Sequence, residues 1–120
     1  MAKSSAKNPR DPGFGHWRWQ RISAVITLAL MVYFTYLVAM IGALDYAAAK
    51  SFVATPYHAL ALAVLVGAGL FHAALGVQMI IEDYVPLASG RLALVTIARG
   101  VFAIAAAASL ISVGMIAGLI

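Results

Sequence analysis

Three long stretches of this chain are almost free of charge, and nothing else constrains its fold as much. Ile22 to Leu44 runs for 23 residues with no Asp, Glu, Lys or Arg, and Tyr57 to Ile81 for another 25. A third stretch begins near Arg91 and continues to the C-terminus with one internal charge, Arg99. About 20 helical residues cross ~30 Å of hydrocarbon, so each stretch is long enough to span a bilayer. Composition agrees: 64% of residues are hydrophobic and 10% are charged, against about 25% charged in a soluble domain. A chain of 120 residues has room for one domain and cannot bury that much apolar surface away from water. The expected fold is an all-α membrane protein with three transmembrane helices, over about 22–44, 57–81 and 91–118. They form one anchor domain, 22–120, behind a polar basic tail, 1–21.

In the tail, Pro9, Pro12, Gly13 and Gly15 are expected to break regular structure. The apolar stretch that follows is too long for a secretory signal and lacks a small-residue cleavage pattern. Lys and Arg total eight against four acidic residues, and five of the eight are Lys3, Lys7, Arg10, Arg18 and Arg21. Beside an apolar span, such a cluster marks a membrane-flanking tail and not a nucleic-acid surface. Asp45 to Pro56 reads as a short polar connection, and Glu82 to Gly90 as a turn with Pro86 and Gly90 as breakers. The tail and second loop together hold seven Lys/Arg, counting Arg91 and Arg99, while the first loop holds only Lys50. The positive-inside rule therefore places the N-terminus in the cytoplasm, and Trp17 and Trp19 fall where interfacial aromatics belong. Having no cysteine, the chain by itself cannot make a disulfide, a thiolate zinc site, an iron–sulfur cluster or a Cys-attached haem. Gly114 and Gly118 form a GxxxG pair, and the run Ala103 to Ala108 is alanine-rich; ordinary helix packing accounts for both.

His72 lies ten residues before Glu82, about 15 Å from the membrane edge and thus near mid-bilayer. Ionisable groups at that depth face a protein interior, a partner or a cofactor. Gly69, Ala68 and Gly76 stand at i−3, i−4 and i+4 from it, on the same helix face. That nearly bare face suits a flat macrocycle and suits a second helix equally. Were the ligand haem, a second axial ligand would have to come from a partner, because Met79 is on the same helix. His58, about 21 Å away along the helix, reads as an interfacial, solvated histidine, and His16 belongs to the tail. Glu82, Asp83 and Tyr84 form either a solvated helix end or a polar mouth where a lipid-soluble substrate meets protons. Arg21 either snorkels to phosphates or pairs with buried carboxylates such as haem propionates. Arg99, about 12 Å into the third span, either snorkels or pairs with an acidic group on a partner. Ser23 and Thr27, four apart, either face a polar pocket or bond their own backbone.

The run His72-Ala-Ala-Leu-Gly76 followed by Glu82-Asp83-Tyr84-Val85 resembles the signature of the succinate dehydrogenase hydrophobic membrane anchor family. That pattern is a His, a Gly four residues on, and an Asp-Tyr pair eleven and twelve residues after the His; all match without a gap. Three spans, similar length and an Arg at the start of the first span extend the likeness to nearly the whole chain. The resemblance implies that His72 is an axial ligand of haem b, with the opposite ligand from a second membrane anchor, the cytochrome b subunit of the complex. It implies that Tyr84 hydrogen-bonds a ubiquinone carbonyl, that Asp83 belongs to the charged network beside it, and that Arg21 meets a haem propionate. His16 is a further candidate at the propionates. The other implied partners, besides the bilayer and quinone, are a flavoprotein with covalent FAD and an iron–sulfur protein, both on the cytoplasmic or matrix side.

The expected function follows from that resemblance: a membrane anchor subunit of succinate:quinone oxidoreductase (respiratory complex II), not catalytic alone. It would hold one haem ligand and part of the site where electrons from succinate reach quinone. Two rivals are a haem-free structural or assembly subunit, and a small transporter protomer using His72 as a proton relay; the spans offer few further polar residues for the latter. A tail too short for a cleavable organelle-targeting segment favours a bacterial inner membrane over a mitochondrial one.

Overall fold

The computed structural model describes residues 13–120; Lys3, Lys7 and Arg10 of the basic tail, with Pro9 and Pro12, lie outside the described residues. Four helices follow in order: α1 Phe14–Ile41, α2 Tyr46–Ala54, α3 Pro56–Tyr84 and α4 Ala88–Ile116. α1, α3 and α4 are each long and apolar enough to cross a membrane. At 28, 29 and 29 residues they measure about 42–44 Å at 1.5 Å per residue, so their ends reach beyond a ~30 Å hydrocarbon layer. α3 is central and packs against both α1 and α4. The buried residues, Ser23 and Leu37 on α1 with His58, Ala59 and Leu65 on α3, come from these two helices. Leu28, Val32, Val101 and Ile104 are among many exposed apolar side chains, a surface suited to lipid or to partner helices.

Several helix ends differ from the sequence-based expectation. α1 begins at Phe14, so the helix includes the last two turns of the polar stretch, and Gly15 does not break it. A glycine costs about 1 kcal/mol relative to alanine in a helix interior, which a helix of this length tolerates. Gly13 precedes it with φ +88°, a left-handed conformation that glycine adopts without strain. The first loop is not merely a connection, because it contains α2. The Asp45 carboxylate caps that helix by accepting from the Ala48 N–H at 2.8 Å, and the following alanines propagate it. Thr55, at φ −55° and ψ 131°, separates α2 from α3 because Pro56 disfavours helical geometry in the residue before it. Pro56 itself occupies the first turn of α3, where its missing N–H costs nothing.

The second connection shortens to Val85–Leu87, with Pro86 inside it and Gly90 already in the first turn of α4. At the other end of α4, the Leu119 N–H donates to the Gly114 carbonyl at 2.9 Å and the Gly118 N–H to Met115 at 3.2 Å. With Gly118 at φ +72°, this is a Schellman termination. Gly118 therefore ends the helix, and the GxxxG pair does not form one helical face.

Candidate functional site

α1 carries a polar stripe, His16, Gln20, Ser23 and Thr27, spaced 4, 3 and 4 residues apart so that all share one face. That face meets α3. A Cβ placed on Gly69 would lie 3.9 Å from Thr27 Cγ2, and one on Gly76 would lie 3.7 Å from Gln20 Nε2. The glycines flanking His72 are thus the floor against which α1 packs, and their face is covered by α1. Of the two uses the sequence left open for these small residues, helix approach is the one realised at Gly69 and Gly76.

His72 lies between those contacts. Ser23, 3% exposed, donates its hydroxyl proton to the Gln20 carbonyl at 3.2 Å, and its Oγ is 3.1 Å from His72 Nδ1. A hydroxyl has one proton to give. With that proton on Gln20, Oγ accepts from Nδ1–H, and the imidazole lone pair resides on Nε2. A cavity of about 320 Å³ adjoins the ring, lined by His72, His16, Gln20, Arg21, Trp17 and Met79 among others. The Arg21 guanidinium stands 5.8 Å from the Trp17 ring centre. His16 Nε2 and Gln20 Oε1 are buried without a hydrogen-bond partner. His72, Arg21 and His16 are therefore brought together around one cavity.

Asp83 and Tyr84 are not part of it. They occupy the last turn of α3, eleven and twelve residues after His72, about 16–18 Å farther along the axis. Both are exposed, Tyr84 by 82%. Beside them, Gln78 Nε2 donates to Glu82 Oε1 at 2.7 Å, and Arg99 donates to Gln78 Oε1 at 2.8 Å. This Arg99–Gln78–Glu82 chain ties α4 to α3, and Arg99 finds its partner within the chain, on a neutral amide. Gln78 is absent from the sequence-based candidates, although a polar amide four residues before Glu82 on the same helix is a readable signal.

His58 contradicts the expectation of a solvated, interfacial side chain. It is 5% exposed, stacked against Phe52 and Tyr57 with ring centres 4.4 Å away in each case, and hydrogen-bonded to the Tyr33 hydroxyl. α2 is what buries it, by bringing Phe52 over the start of α3. Among the described residues no group of three or more His, Asp or Glu side chains is placed to hold a metal ion, so His72 stands as a single ligand.

Residues 7–113 match the model of the succinate dehydrogenase/fumarate reductase transmembrane subunit family. The chain belongs to that family. It is also 27% identical over 97 residues, covering 81% of each chain, to the succinate dehydrogenase hydrophobic membrane anchor subunit of Rickettsia felis. With three apolar spans, this family member is an integral, multi-pass membrane subunit of an oxidoreductase complex. Its family is of the cytochrome type, in keeping with the imidazole and the cavity described above.

Proposed function

We propose that this chain anchors a succinate:quinone oxidoreductase to the membrane and holds one side of its haem b through His72 Nε2. The observation that carries the reading is the meeting of His72, Arg21 and His16 around one cavity, with Nδ1 of His72 already engaged. The residues fit the group. Nε2 has a free lone pair, Arg21 is a fixed cation for a propionate, and His16 Nε2 is a buried polar atom in need of a partner. A cavity of about 320 Å³ takes one face and edge of such a macrocycle, and the opposite wall and ligand come from the second membrane anchor. When bound, the haem supplies a one-electron site inside the membrane. His72 fixes its position, while Arg21 and His16 hold and neutralise its acidic edge.

Tyr84 and Asp83 belong to the ubiquinone site. The Tyr84 phenol donates to a quinone carbonyl and orients it, and Asp83 holds charge and protons at the same membrane edge. Their exposure in the isolated chain supports a site completed by the iron–sulfur protein and the second anchor. The flavoprotein with its FAD lies beyond, on the cytoplasmic side of a bacterial inner membrane, where the basic tail also lies.

The test is His72→Ala in the assembled complex: the dithionite-reduced b-type spectrum is lost or altered, and an unchanged spectrum would refute the assignment. One observation favours a second reading, a haem-free structural subunit: Gln20 and Thr27 of α1 already cover Gly76 and Gly69. A colourless preparation with all partners assembled would establish that reading.

A further inference from the structure

We propose that Ser23 is the positioning residue for His72, holding the ring so that Nε2, and not Nδ1, faces the cavity. The inference rests on the haem reading above and adds to it a residue on a different helix, 49 positions away in the chain.

The geometry restricts the bond's direction. Ser23 sits on α1 at 3% exposure, so water does not compete for its oxygen. Its proton is on the Gln20 carbonyl at 3.2 Å. That bond turns the oxygen's lone pairs away from α1's own backbone, and Oγ lies 3.1 Å from Nδ1. The Gln20 carbonyl thus orients the hydroxyl, the hydroxyl orients the imidazole, and the imidazole presents Nε2. Close packing of Thr27 on Gly69 and Gln20 on Gly76 brackets the contact on both sides and keeps α1 from sliding along α3. His72 has freedom to rotate about its side-chain bonds only if this hydrogen bond breaks.

A metal-bound histidine is tuned by whatever accepts its other N–H. A hydroxyl oxygen is a neutral acceptor and draws on Nδ1–H less than a carboxylate does, yet more than an apolar wall. Removing it lowers the basicity of the imidazole, stabilises ferric iron less, and raises the haem's reduction potential. The unsatisfied Nδ1–H also lets the ring turn, which changes the angle between the axial ligand planes.

The experiment is Ser23→Ala in the full complex, purified in detergent, with three readouts: haem per complex, a redox titration of the reduced b-type absorption, and the low-temperature EPR signal of the oxidised haem. Haem is expected to remain. The ratio of reduced to oxidised haem at the wild-type midpoint rises roughly tenfold, the lower end of what such histidine partners contribute, and the largest g-value shifts. Ser23→Thr restores both, because it keeps a hydroxyl at the same carbon, and Ser23→Val, of matching shape, does not. The Thr and Val pair decides the question if the Ala complex fails to assemble. Haem present in all variants with wild-type potential and g-values would overturn the role of Ser23 and leave the His72 assignment standing. Absence of b-type haem from the unmodified complex would overturn the haem reading and this inference with it.

Discussion

The Tyr33 hydroxyl is hydrogen-bonded to His58 Nδ1, joining the middle of α1 to the first turn of α3. The bond lies at the opposite end of α3 from the cavity, 14 residues and about 21 Å from His72. His58 is enclosed there by Phe52 of α2 and by its own neighbour Tyr57. One imidazole thus fastens three helices, and α2 is held down by a stacked ring in addition to its Asp45 cap.

Replacing Tyr33 with Phe keeps the ring and removes only the hydroxyl. The buried nitrogen of His58 then loses its partner, at a cost of about 1–3 kcal/mol. The expected outcome is a lower thermal midpoint for the assembled complex in detergent, with the haem absorption spectrum unchanged. An unaltered midpoint would mean that the pair contributes nothing to stability.

Arg99, Gln78 and Glu82 form a hydrogen-bonded series between α4 and α3, and their energies should not add. Gln78→Leu removes both bonds, and Arg99→Met removes one of them together with the charge. Residues in one network typically couple by about 0.5–3 kcal/mol. The double variant is therefore expected to cost less than the two single variants summed, as read from thermal midpoints. Strict additivity would show that Arg99 is stabilised by lipid phosphates and not by Gln78.

The spans are legible in the sequence because length and absence of charge are local properties, readable without knowing what packs on what. The site is legible in parts. His72 announces itself as an imidazole deep in an apolar stretch, and Ser23 and Thr27 are visible as a hydroxyl pair on one face. Which hydroxyl meets the imidazole depends on the α1–α3 register, which is set by α2 and the Thr55–Pro56 junction, neither expressed in hydropathy. His58 defeats a local reading for the same reason. Its burial is created by Phe52 and Tyr33, six and 25 positions away, and not by its own neighbourhood alone. The Asp45 cap, with three alanines soon after it, is a readable start for α2, and Gly118 is open to reading as a helix stop.

Tyr84→Phe separates the two halves of the proposed reaction. Tyr84 is 82% exposed in this chain, and a surface substitution that touches no partner changes stability by no more than about 0.5 kcal/mol. Succinate oxidation with an artificial dye should therefore survive, while ubiquinone reduction falls. Equal loss of both activities would argue against a quinone hydrogen bond from this residue.

The glycines beneath α1 give a graded test of how the site is held. A Cβ at Gly76 meets Gln20 Nε2 at 3.7 Å, and one at Gly69 meets Thr27 Cγ2 at 3.9 Å, both ordinary van der Waals distances. Alanine at either position is accommodated, and within a helix it gains about 0.5–1 kcal/mol over glycine. A leucine is not accommodated: its branched end would displace the α1 side chains and drive the helix away from α3. Because Ser23 rides on that helix between Gln20 and Thr27, its 3.1 Å approach to His72 would open with it. Gly76→Ala should accordingly match or exceed the wild-type thermal midpoint with an unchanged b-type spectrum, while Gly76→Leu should lower haem content. If Gly76→Ala alone displaced the haem, the glycine face would be in direct contact with the macrocycle and not with Gln20, and α1 would sit differently in the assembled complex.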